Sequence, residues 1–196
     1  MKLLTCLVCL SILLFSCPLF AQIDPDDDGV GIYFDLAGDE HCSQVPMGIV
    51  RDLYLLLTNA SAPGGVAGWE CRIENYPEYN FIVNWQPIGW IGSILDPPNF
   101  QIGLATPLPW APAIHLMTIT VLVINMDCWW FSIVPHPLPT VPGEIVYADG
   151  DDLFNFIPMH QSTGGPDTPV AGINCSCPPP IDTESISWGG VKSMYK

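Results

Sequence analysis

The sequence predicts an all-β protein: one domain of two antiparallel sheets packed face to face. Three observations carry this. Residues 66–74 alternate apolar and polar side chains, residues 115–124 are dominated by β-branched ones, and 21 Pro and 17 Gly interrupt the 196-residue chain at short intervals. A period of two puts one set of side chains on each face of a pleated strand, and branched side chains pack well there. No sustained helical spacing occurs before residue 184, which excludes a helix bundle. Hydrophobic residues make up 49% of the chain, too many for a disordered acidic tail. With 5 Lys and Arg against 20 Asp and Glu, the net charge is −15. So few cations exclude binding to nucleic acid phosphates or docking on anionic lipid.

The first 21 residues read as a secretory signal peptide: a basic start at Lys2, an apolar run over 3–20, then Pro18 and a small residue, Ala21, at the cleavage point. Leu14-Phe15-Ser16-Cys17 also resembles a lipoprotein-processing box, in which Cys17 would carry lipid. No other run reaches the ~18 apolar residues of a spanning helix, so the mature chain is expected not to insert into a membrane. It would lie outside the cell, at the cell surface or in the periplasm. Residues 22–29 form an acidic leader, 30–177 the sandwich, 178–182 a stiff Pro-rich spacer and 183–196 a tail.

Within the sandwich, 30–36 is a short strand with Ile32 and Phe34 on one side. A continuous apolar strand over 49–59 ends in the turn cluster Asn59-Ala60-Ser61-Ala62-Pro63-Gly64-Gly65. In 66–74, Ala67, Trp69, Cys71 and Ile73 take the inner face, with Gly68, Glu70, Arg72 and Glu74 on the outer. A strand over 79–85 carries Phe81 and Val83 on one side, and the proline-rich residues 87–112 permit only short strands such as 100–104. The strand 115–124 is expected to turn at Asn125-Met126-Asp127 and return as a hairpin over 128–134. Segments 144–147 and 153–157 flank a second hairpin turn at Asp149-Gly150. Residues 170–174 form a last strand, for about eight to ten in all, the short-strand, frequent-turn pattern of a sandwich.

Tyr54-Leu55-Leu56-Leu57-Thr58-Asn59 followed by Gly65-Val66-Ala67-Gly68-Trp69-Glu70-Cys71-Arg72-Ile73 resembles the opening of cohesin-like and related immunoglobulin-like sandwiches. There, a strand and a loop lead into a Val-Ala-Gly-aromatic strand with a polar outward face. The resemblance spans roughly a third of the chain. It implies a nine-stranded, jelly-roll-type sandwich used for protein–protein docking outside the cell.

Export makes Cys42, Cys71, Cys128, Cys175 and Cys177 disulfide candidates, enough for two bridges and one thiol. Cys71, inward beside Trp69, suits a bridge across the core. No Cys-x-x-Cys pair supports zinc. Asp24, Asp26 and Asp28 ahead of Gly29 match the front of a calcium loop, and Asp149 with Asp151 forms a second acidic loop; against this stand a solvated leader and a plain hairpin turn. The four histidines, His41, His115, His136 and His160, have no nucleophile nearby in a recognised pattern, and no Gly-x-Ser-x-Gly or His-Glu-x-x-His occurs. The chain is therefore read as non-catalytic. Trp85, Trp90 and Trp110 lie in or beside the proline-rich region, where exposed rings would suit stacking on a sugar, although most tryptophans fill cores. Of Trp129 and Trp130, one must face outward. Asn59-Ala60-Ser61 and Asn174-Cys175-Ser176 fit the glycosylation pattern. In the tail, Trp188, Lys192 and Tyr195 are candidates for recognition. The expected role is a secreted binding or surface module with an extracellular protein partner; the alternative is a carbohydrate-binding module.

Overall fold

The computed structural model describes residues 26–77, 81–91, 95–162 and 168–176. They contain twelve strands and no helix: β1 (Gly29–Tyr33), β2 (Cys42–Ser43), β3 (Val50–Thr58), β4 (Val66–Tyr76), β5 (Phe81–Pro87), β6 (Leu95–Asp96), β7 (Asn99–Leu108), β8 (Ala113–Leu122), β9 (Trp129–Val134), β10 (Ile145–Asp149), β11 (Phe156–Gln161) and β12 (Ala171–Ile173). The front layer runs β5-β8-β3-β1-β11. The back layer is centred on β4, with β7 and β6 on one side, and β10-β11 and β9-β12-β2 on the other. The layers are joined, because β11 pairs antiparallel with β10 over Phe156 to Met159 and then parallel with β1 at His160 and Gln161. A strand that changes sheets makes a corner of a sandwich.

The all-β sandwich expected from the sequence is present, but its pairing is mixed. Besides β1 and β11, β2 and β12 run parallel. The expected hairpin between 115–124 and 128–134 does not form. Both edges of β8 are occupied, by β3 and β5, so the chain crosses at Asn125-Met126-Asp127 and β9 pairs with β4 and β12 in the other layer. The hairpin at Asp149-Gly150 does form, between β10 and β11.

Between the layers, Leu53, Leu55, Leu57, Ile119 and Val121 from the front meet Trp69, Ile73, Phe100, Trp129, Phe131 and Tyr147 from the back. Full burial of each such side chain stabilises by about 1.5–3 kcal/mol. A bulge between Ile82 and Asn84 shifts the alternation of β5. Val83 is turned outward, while Ile82 and Trp85 pack on the core. Trp85 meets Phe100 of the back layer with ring centroids 5.0 Å apart.

Cys128 and Cys175 form a disulfide that ties the start of β9 to the chain leaving β12. A loop of its 47-residue span stabilises by about 4 kcal/mol when closed, through the entropy of the unfolded chain. Cys42 is also disulfide-bonded. Cys177 lies outside the described residues. Cys71 corrects the expectation of a bridge across the core: it is a buried free thiol. The inner face opposite it is filled with apolar side chains, and no second described cysteine points there. Burial, then the adjacent Glu70 carboxylate, push this thiol well above its ordinary range, which keeps it protonated and inert.

A polar tie crosses the layers at one end. Tyr147 Oη on β10 donates to Asp28 Oδ1 at 2.6 Å, the same oxygen accepts from Ser61 N at 2.7 Å, and Ala62 N donates to Tyr147 Oη at 3.2 Å. Burial and the neighbouring Asp28 carboxylate raise Tyr147 from an ordinary 10 to about 12.

Two predictions follow from these buried groups. In the chain without its leader, an alkylating reagent should add once under non-reducing denaturation and not at all in native buffer, read by mass spectrometry; a native adduct would show Cys71 to be reachable. Tyr147→Phe should lower unfolding stability by about 2 kcal/mol, the worth of a buried hydrogen bond to a charged group. Because Tyr147 is harder to ionise folded than unfolded, its contribution is complete below pH 10 and is lost as pH rises from 10 to about 12. The variant's melting temperature should therefore fall less steeply than that of the wild type across that window.

Candidate docking face

The outer face of β4 is built in cross-strand rows. Two strands run along one of its edges in succession: β10 opposite Val66 to Glu70, and β9 opposite Arg72 to Tyr76. On the other edge β7 pairs from Val66 to Arg72. Ala148, Gly68 and Gly103 therefore stand side by side, as do Val146, Glu70 and Gln101, then Val134, Arg72 and Asn99, with Trp130 beside Tyr76 at the far end.

The row of small residues makes a depression. A Cβ at Gly68 would come within 2.7 Å of the Ile102 carbonyl oxygen, so a side chain there is excluded by the approach of β7. The resulting groove has a volume of about 510 Å³, and Ile91, Leu104, Leu153 and Phe156 line its flanks. Ile91 and Leu153 are exposed, Phe156 is at the edge of exposure, and Phe154 beside them is 88% exposed.

Glu70 closes one end of this groove. The chain between β9 and β10 leaves the edge of β4 and passes over its outer face. Thr140 N and Oγ1 donate to Glu70 Oε1 and Oε2 at 2.6 and 2.8 Å, Gln101 Nε2 donates to Glu70 Oε2 at 3.2 Å, and Gln101 Nε2 also donates to the Leu138 carbonyl at 3.1 Å. Glu70 is only 5% exposed. Its charge is held by hydrogen-bond donors, the condition under which a carboxylate is tolerated in a buried place. The proline-rich segment over Glu70 and Gln101 thus divides the outer face in two. Beyond it a second groove of about 620 Å³ contains Arg72, Glu74, Tyr76, Trp130 and Ser132.

The residues singled out from the sequence are distributed otherwise. Asp24 lies outside the described residues, Asp26 is exposed, and Asp28 is engaged by Tyr147 and Ser61. Asp149 accepts from Asp151 N at 2.9 Å and from Asn155 Nδ2 at 3.4 Å, so its carboxylate caps its own turn. Among the described residues no three His, Cys, Asp or Glu side chains converge as metal ligands. Trp85 faces the core, which corrects its placement as an exposed ring. Trp90 and Trp110 are exposed, and Trp110 Nε1 donates to the Ala60 carbonyl at 2.8 Å. Trp188, Lys192 and Tyr195 lie outside the described residues. Asn174 is not open to a glycan: its amide exchanges hydrogen bonds with the backbone of Val45. The sequence placed Glu70 on the outer face but gave it no role. It also left open which of Trp129 and Trp130 faces outward; Trp129 is buried and Trp130 is half-buried.

No family model and no curated protein matches this sequence. Solved cohesin modules are similar to it in structure. A type II cohesin domain from the cellulosome of Acetivibrio cellulolyticus has 13% identity and a TM-score of 0.46, over 76% of this chain and 96% of that one. The cohesin module of a family 33 glycoside hydrolase from Clostridium perfringens has 11% and 0.43, over 67% and 90%. A type I cohesin–dockerin complex from Clostridium thermocellum has 10% and 0.45, over 68% and 94%.

Glu70→Ala should release the segment over 135–144. The expected loss is about 2–3 kcal/mol, for a buried charged hydrogen-bond set, with new protease cleavage in that segment. Glu70→Gln, which keeps the shape and one acceptor, should lose less. Equal denaturant midpoints for Glu70→Ala and wild type would refute the anchoring role.

Proposed function

We propose that the chain is an exported, non-catalytic module that docks a protein partner on the outer face of its back layer. The observation that carries this reading is the groove over Gly68, Gly103 and Ala148, flanked by exposed Ile91, Leu153 and Phe156. Contiguous exposed apolar side chains around a shaped depression are the usual mark of a binding surface. The groove floor is backbone and small side chains, so an inserted apolar side chain of a partner would be desolvated against the floor and flanks. Buried apolar anchors of this kind supply most of the energy of an interface. The polar end at Glu70, Gln101 and Thr140 fixes orientation. Export is supported by the apolar leader and by disulfide bonding of Cys42, Cys128 and Cys175, which fits an oxidising compartment. The sequence resemblance to cohesin-like sandwiches implies the same class of role.

The test is affinity capture from the outer fraction of the producing culture, with wild type and a Leu153→Asp, Phe156→Asp double variant of unchanged melting temperature. A protein retained by wild type and depleted at least about tenfold with the variant, a difference near 1.4 kcal/mol, is the expected result. Identical retained proteins for both would refute docking at this groove.

A further inference from the structure

The second groove differs from the first in chemistry. Tyr76 and Trp130 are directly opposed across β4 and β9, so their side chains share the outer face as neighbours. Tyr76 is 75% exposed. The indole of Trp130 is backed by Gly172 of β12: a Cβ at 172 would lie 2.7 Å from Trp130 Cζ3 and 2.9 Å from Cε3. Glycine at 172 thus lets the six-membered ring rest against the sheet, with the indole half-buried. Along the same face Arg72 and Glu74 form an ion pair at 3.1 Å, both half-exposed, and Ser132 stands opposite Glu74.

We propose that this groove binds neutral polysaccharide. Aromatic faces, one of them held flat by the backbone, offer stacking surface to the C–H face of a pyranose ring. Beside them, guanidinium, carboxylate and hydroxyl groups provide donors and acceptors for adjacent sugar hydroxyls. The 620 Å³ groove lies within the ~300–1,000 Å³ span of small-ligand sites and accommodates a short run of sugar units. Arg72 and Glu74 cancel each other's charge, and the chain carries a net charge of −15, so an anionic glycan is repelled and a neutral one is not. The site is separate from the apolar groove, with the segment over Glu70 between them. It uses none of Trp85, Trp90 or Trp110.

Affinity electrophoresis in native gels containing hydroxyethylcellulose, xylan or galactomannan tests the proposal, with polygalacturonate as the anionic arm. Wild type should be retarded by at least one neutral polymer and not by polygalacturonate. Tyr76→Ala, a change at an exposed ring that leaves the melting temperature near wild type, should weaken retardation about tenfold or more, and Trp130→Ala should abolish it. Trp90→Ala, Trp110→Ala and the Leu153→Asp, Phe156→Asp double variant, each compared with its own mobility in a polymer-free gel, should be retarded as much as wild type is, which separates this site from the protein-docking groove. Absence of retardation in all three neutral gels, retardation unchanged in Tyr76→Ala, or stronger retardation by polygalacturonate would each overturn it.

Discussion

An eleven-residue strand has more edge than a five- or six-residue partner covers, and the geometry of the back layer follows from that mismatch on β4. Unpaired backbone groups in a buried strand are costly, so one edge is covered twice, by β9 and then by β10. The chain between these two strands must leave the edge and re-enter it. It does so over the outer face, where Glu70 and Gln101 receive it. The division of that face into an apolar groove and an aromatic, polar one is a consequence. The inner face of the same strand meanwhile contributes Trp69, Cys71 and Ile73 to the core.

The fold was legible where local pattern decides it. Alternation in 66–74 assigned Trp69, Cys71 and Ile73 to the inner face of β4 and Glu70, Arg72 and Glu74 to the outer, as the structure has them, but a register shift at the start of the strand puts Val66 in the core in place of Ala67. The Asp149-Gly150 turn was correctly placed between paired strands. What could not be read depends on neighbours in space. Nothing in Asn125-Met126-Asp127 reveals that both edges of the preceding strand are already taken. The parallel pairs arise because β1 and β2 are each laid beside a strand far along the chain. Trp85 was misplaced because its nearness to the proline-rich region was read as a surface position, whereas it lies within β5 and packs against Phe100.

The candidate site was half legible for the same reason. Continuing the alternation of β4 to Tyr76 places its ring outward with Glu70, Arg72 and Glu74, so each member of the face is visible in sequence. Their partners are not. Trp130, Gln101 and Thr140 come from three other segments, brought in by register. The acidic residues show the opposite case. Asp28 belongs to a run that matches the front of a cation loop, yet its carboxylate is committed to Tyr147 and Ser61, where it ties β10 to the start of β1. A motif states which atoms are available in order, and the fold decides what they meet.

The disulfide between Cys128 and Cys175 also shapes how the molecule bears mechanical load. β12 has only three residues and would unzip readily if pulled from its end. Tension applied to the chain beyond Ser176 arrives first at Cys175 and is transferred covalently to the head of β9, which is gripped along β4 by five paired residues. A module tethered by its C-terminal segment in moving fluid would thus be held through its central sheet, with the short β12 shielded from the force.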